Sequence, residues 1–330
     1  MRNSIKNVCG SAGLNWPTGQ SLGYGSRDSR RGIPSGCEGP ANQLTFLLCL
    51  SLLLSGCSAA YNGERLFWKA QQINAPIVKS PQTAAPEQYA KAIQAFQLVA
   101  QKTPGTIWAA RAHVAVGSLY ALEKQYDQAR QAYTLVLQNY NPYKDLCLGT
   151  RVAVAKTYEI EQNWDEAIKT YRDIAEYHPW TVPGLEALLY VPWLQAHHGS
   201  ADEATKGYEW AVRQYTQLLL DAPNPETAIQ VKARLVLAYQ RLGQWDNVTK
   251  TLEELRETPG VTNRPLVLLT LGAVYQTKLS NPEKAEGAYT ELVKEFPAHP
   301  FSKAAKAQLE RMGVSAVPIP TVPQAPVATP

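Results

Sequence analysis

The chain has 330 residues, 45% of them hydrophobic and 18% charged, with 32 Lys and Arg against 28 Asp and Glu, the composition of a soluble globular or solenoid protein. The excess charge sits at one end: residues 1–57 hold five basic and two acidic side chains, which leaves 27 and 26 in the rest, a net +1. A body this close to neutral lacks the basic surplus that phosphate binding needs, which counts against nucleic acid as a partner.

Residues 1–43 are rich in Gly, Ser and Asn and show neither helical nor strand periodicity. Leu44–Leu54 (LTFLLCLSLLL) is an uncharged run of 11 residues. That is too short for a bilayer, which takes ~20 apolar residues, and fits the apolar core of an export signal. It leads into Leu54-Ser55-Gly56-Cys57, an aliphatic residue, two small residues and a cysteine, which resembles the lipobox of bacterial lipoproteins. The resemblance implies cleavage before Cys57, diacylglycerol on its thiol, and Cys57 as the mature N-terminus. Ser58 in place of an Asp is similar to the outer-membrane class, facing the periplasm. Two acyl chains on one terminus hold a protein stably at a membrane. A signal ordinarily begins shortly before its apolar run, yet the nearest base here is Arg31, so translation is expected to start downstream of Met1. Of Cys9, Cys37, Cys49, Cys57 and Cys147, cleavage and lipidation leave Cys147 alone. No disulfide framework is then possible, and Cys147, between Leu146 and Leu148, is expected to be a buried structural thiol.

In the mature body, 58–86 is expected to hold a helix over 61–74 and a loop over 75–86, where three prolines fall. From residue 87 the same residue types recur at fixed offsets. Residues 110–143 carry Gly117, Tyr120, Ala129, Tyr133, Val136 and Pro142; residues 148–181 carry Ala155, Tyr158, Ala167, Tyr171, Ile174 and Pro179. Residues 229–262 carry Val236, Tyr239, Val248, Leu252, Leu255 and Pro259; residues 265–298 carry Gly272, Tyr275, Ala285, Tyr289, Leu292 and Pro297. Two copies keep only the second half: Ala92, Phe96, Val99, Pro104, and Ala211, Tyr215, Leu218, Pro223. Small residues let two helices approach, rings fill the space beside them, and proline ends each unit. Asn163 and Asn281 are expected N-caps, Pro282 a first helical residue, and Gly243 a left-handed turn residue. Asp127, Asp165 and Asp246 suit first helical turns. Residues 183–221 are read as a hairpin carrying an insertion of about a dozen residues. A helix over 301–313 closes the array, so the solenoid spans 87–313, and 314–330 is an uncharged, Pro-rich tail.

This pattern resembles the tetratricopeptide repeat. The resemblance implies an all-α, right-handed superhelical solenoid of antiparallel helix pairs, with a concave face lined by Val114, Ser118, Val152, Lys156, Ala233, Leu237, Leu269 and Ala273. The Lys and Asn with which some such proteins clamp a carboxylate are absent at Val114 and Ser118, so the groove is mainly apolar and suits a helix or extended segment of a partner. Adjacent His197 and His198 lack companions at metal-ligand spacing. Glu253, Glu254 and Glu257 read as a solvated face. No phosphate loop, nucleophile elbow or metalloprotease helix is present in the sequence, and no cofactor is expected. The chain is thus expected to be a non-enzymatic, lipid-anchored scaffold for envelope proteins or peptides. Its layout is similar to the barrel-assembly lipoproteins of the outer membrane. A lipoprotein of polysaccharide export, or an envelope enzyme using the hairpin at 183–221, stays open as an alternative.

Overall fold

A computed structural model of the protein describes residues 61–314, so the signal segment, Cys57 and the Pro-rich stretch from residue 315 onward lie outside the described residues. Regular structure among them is entirely helical. Helix α1 covers residues 61–79. It is followed by α2 (Pro86–Lys102), α3 (Ile107–Leu122), α4 (Tyr126–Asn139), α5 (Lys144–Ile160), α6 (Trp164–Tyr177), α7 (Val182–His198) and α8 (Ala201–Leu220). The remainder are α9 (Pro225–Arg241), α10 (Trp245–Glu257), α11 (Arg264–Thr277), α12 (Pro282–Glu295) and α13 (Pro300–Arg311). Among the described residues, no helix is long and apolar enough to cross a membrane.

From α2 onward each helix packs on the next in chain order, and α3 also touches α5, α7 touches α9, and α11 touches α13. The fold is the expected all-α solenoid of tetratricopeptide-type pairs. Helices α3, α5, α7, α9 and α11 are the first members of hairpins, α4, α6, α8, α10 and α12 the second, and α13 covers the last pair. The close approach of each pair has a visible cause. A Cβ placed on Gly117 would stand 2.4 Å from Tyr133 Cε1, and one on Gly272 would stand 2.4 Å from Tyr289 Cε1. The small residue on the first helix is therefore the seat of the ring on the second, and both rings are almost fully buried.

Four of the five hairpin turns, all but that between α7 and α8, hold a left-handed residue: Lys124 (φ 63°), Gln162 (φ 62°), Gly243 (φ 67°) and Ser280 (φ 50°). The expected caps form. Asn163 Oδ1 accepts from Glu166 N at 3.4 Å, and Asn281 Oδ1 from Lys284 N at 3.0 Å, with Pro282 at the first helical position. Each satisfies a backbone donor that the helix leaves open.

Two segments differ from expectation. The helix expected over 61–74 continues to residue 79, through Pro76. A proline forfeits one helical hydrogen bond, but Ile77 is fully buried, packed with Ala70, Tyr89 and Phe96, and that apolar contact holds the last turn. The hairpin at 183–221 has no inserted loop: α7 and α8 are separated only by Gly199 and Ser200. The extra residues lengthen α8, which has 20 residues where α4, α6 and α12 each have 14. Its buried line runs Ala204, Tyr208, Ala211, Tyr215, Leu218, the repeat's second-helix pattern written twice with a seven-residue shift.

The acidic cluster on α10 is also more than a solvated face. Glu253 accepts from Tyr275 Oη on α11 at 3.1 Å, and Glu254 pairs with Lys232 on α9 at 2.8 Å. Arg256 bonds Glu291 of α12, which also takes Arg264 of α11 at 2.9 Å. These pairs stitch α9 to α12 from outside the apolar core.

Candidate partner groove

Between α9 and α11 the chain leaves a cleft of about 500 Å³. Between α10, which ends at Glu257, and α11, which begins at Arg264, runs a connection turned by Gly260 at φ 83°. Asn224 fixes the start of α9, its side chain accepting from Thr227 N at 2.8 Å, and Pro225 follows at the first helical position. The floor is buried and apolar: Val236, Leu252, Leu255 and Val267. The walls present Leu237 and Leu266, which stay 49% and 42% exposed. Half-buried Ile229 and Val261 join them.

Polar groups stand on the rim: Gln230, Gln240, Thr262, Asn263 and Thr270. The one charged lining residue, Arg234, already donates to Gln230 O at 3.1 Å and faces Glu186 at 3.8 Å. The cleft is thus a neutral apolar trough edged by neutral donors and acceptors. Such a surface suits an uncharged segment whose apolar side chains enter the trough and whose backbone groups meet the rim amides and hydroxyls.

Of the residues expected to line a groove, Ala233 and Leu237 do line this one, and both are exposed. Leu269 and Ala273 are half-buried on α11 and do not line it; Leu266 and Thr270, three residues earlier on the same helix, take that place. Val114 is half-buried, and Ser118 is exposed, with its hydroxyl donating to Val114 O at 3.0 Å and 3.3 Å from Tyr133 Oη. Val152 is 7% exposed and packs inside, while Lys156 is half-buried beside it on α5. Of the eight positions, then, two belong to this cleft. Val261, Thr262 and Asn263 were missed because an alignment of repeats assigns them to a connection.

His197 and His198 are engaged by their own neighbours. His197 Nδ1 lies 2.7 Å from Trp193 O, and the His198 ring stacks on Trp164 at 3.5 Å between centroids. Their imidazoles stand 6.4 Å apart. Among the described residues no three His, Cys, Asp or Glu gather as metal ligands. Cys147 is half-buried rather than fully buried. Its thiol points at Tyr140 O, 3.4 Å away, and burial pushes its pKa up, away from a reactive thiolate.

No protein-family model and no curated protein matches the chain. Among solved structures it is similar to a TPR repeat-containing protein from Cytophaga hutchinsonii, at 14% identity over 75% of this chain and 98% of that one, TM-score 0.42. It is also similar to PilW, a type IV pilus biogenesis factor, at 14% identity over 72% and 97%, TM-score 0.36. A third is BtubC from P. vanneervenii, at 15% identity over 81% and 98%, TM-score 0.36. Scores this low leave function to be read from this chain's own residues.

Proposed function

We propose that the protein is a non-enzymatic scaffold, lipid-anchored in a bacterial cell envelope, that holds an extended, uncharged segment of another envelope protein between α9 and α11. The observation that carries the binding half is the neutral apolar cleft with Leu237 and Leu266 left open to solvent. Apolar side chains gathered around a concave cleft, unlike ones scattered singly over a surface, are what a binding site presents. The anchoring half is supported by the 11-residue apolar run that ends at Leu54-Ser55-Gly56-Cys57, and Ser58 supports the outer membrane as its destination.

The two halves are tested apart. A photo-crosslinking residue at position 237 traps a specific envelope protein in cells, and Leu266→Glu abolishes that adduct while the protein stays folded. An adduct pattern indifferent to Leu266→Glu defeats the groove. Cys57→Ala abolishes both acylation and cleavage before residue 57; membrane attachment and cleavage at the same site in that variant defeat the anchor.

A further inference from the structure

The first described helix has two sharply different sides. Inward, at seven-residue spacing, stand Gly63, Ala70 and Ile77. Ala70 and Ile77 are buried in the core with α2 and α3, and Gly63 lies so close to Trp108 that a Cβ would meet its Cδ1 at 2.7 Å. Outward, at the same spacing, stand Tyr61 and Trp68, 68% and 59% exposed. Arg65 and Gln72 lie between and beyond them on the same stripe, with Lys69 beside it; all three are exposed. Neither Arg65 nor Lys69 makes an ion pair among the described residues. Glu64, also exposed, is the one acidic neighbour within this first stretch. Two open rings interleaved with two unpartnered bases serve no packing role in the solenoid.

We infer that this stripe of α1 is a membrane-surface contact that lies in the headgroup region of a bilayer bearing anionic lipid. The inference rests on the lipid-anchor reading of Cys57 and adds a second point of attachment to it. Four residue steps separate Cys57 from Tyr61, a reach of at most ~14 Å, so an acylated Cys57 holds the start of α1 at the membrane boundary. Tyr and Trp belong there, since each has an apolar ring and a polar group that stays wet. Arg65 and Lys69 bury their stems along the surface and direct their charges to phosphates. A protein partner fits the stripe less well. Two rings on one helix are a small patch beside the ~800 Å² that each side of a stable protein pair buries. Contact along α1 fixes the angle at which the solenoid leaves the membrane, where a lipid tether alone would leave it free to swivel.

The test uses the body from Ser58 to Pro330, which contains every described helix and no acyl group, with vesicles of equal parts phosphatidylcholine and phosphatidylglycerol. The body binds these vesicles measurably, and added salt weakens binding. Arg65→Gln with Lys69→Gln lowers the partition coefficient about 25-fold, at about fivefold per base. Trp68→Ala lowers it by about tenfold. Lys250→Gln with Lys303→Gln removes the same charge from elsewhere on the surface and leaves it unchanged. Equal partitioning of all these proteins, or a Trp68 photo-adduct in cells that is protein in place of lipid, overturns the contact. Mass analysis of Cys57 in the membrane-derived protein separates the two readings. An acylated Cys57 with no Trp68 dependence defeats this inference and spares the anchor. An unmodified Cys57 with Trp68-dependent vesicle binding defeats the anchor and supports the contact.

Discussion

Volume compensation between facing residues is the main device that brings each helix pair together. Gly117 faces Tyr133 and Gly272 faces Tyr289. In the α9–α10 pair the ring is replaced by Leu252, and the glycine position holds Val236, both buried in one cluster. One chain thus shows that the pair of volumes matters, and either residue alone does not. Gly117→Val should overpack the ring and cost ~1–3 kcal/mol, and adding Tyr133→Leu should recover part of that loss. Urea unfolding of the two single variants and the double variant measures the coupling, and strict additivity would refute it. The turn residue offers the opposite sign. Lys124 holds φ at 63°, a conformation that costs a side chain ~1–2 kcal/mol and a glycine nothing. Glycine loses about 0.5–1 kcal/mol elsewhere through the freedom of its unfolded state. Lys124→Gly is therefore expected to raise stability by several tenths of a kcal/mol to about 1, the difference of those terms, seen as a higher urea midpoint.

The helices themselves were largely legible in the sequence, because small, aromatic and proline residues repeat at fixed offsets and each has a local physical job. Asn163, Asn281, Pro282 and Gly243 could be assigned from the sequence for the same reason: capping and left-handed turns depend on a few adjacent residues. What escaped was register and extension. Ala211, Tyr215 and Leu218 match the repeat pattern, but so do Ala204, Tyr208 and Ala211. A helix buried along a seven-residue line satisfies the pattern at either setting, so sequence alone could place the additional residues in a loop. In the structure Ser200 and Glu203 form a reciprocal cap, Glu203 N donating to Ser200 Oγ at 3.1 Å and Ser200 N to Glu203 Oε2 at 2.8 Å. The first turns of α8 begin there and pack on α7, where Gly207 sits against Pro192. Tyr208 is 7% exposed, so Tyr208→Ala should cost about 3 kcal/mol, in the range of a deleted core ring. Thermal unfolding checks it. A silent substitution would return these residues to a surface insertion.

Across the whole chain, buried apolar contact is divided into neighbourhoods. One cluster draws on α9 to α13 and includes Leu268, Leu271, Tyr289 and Leu309; another draws on α1 to α4 and includes Ile77, Phe96 and Leu119; they share no residue. Outside the core, the Arg256–Glu291–Arg264 chain ties α10, α11 and α12 to one another. The groove belongs to the first neighbourhood, which explains why it was the least legible feature. Its lining is drawn from α9, α10, α11 and the connection before α11, an arrangement of elements that no local pattern encodes. Stability in such an array is nearly a sum of local terms and contacts between neighbouring units. Leu271 is fully buried, so Leu271→Ala should cost ~2–5 kcal/mol, and the loss should stay local. In hydrogen exchange followed by mass spectrometry, amides of α10 to α12 should exchange far faster in the variant while those of α2 and α3 keep their protection. The groove walls on α9 and α11 should loosen with them, and partner adducts at position 237 should fall even though the substituted residue does not line the cleft. Equal acceleration from α2 through α12 would show instead that the chain opens as one cooperative unit, and that the groove owes its shape to the entire solenoid.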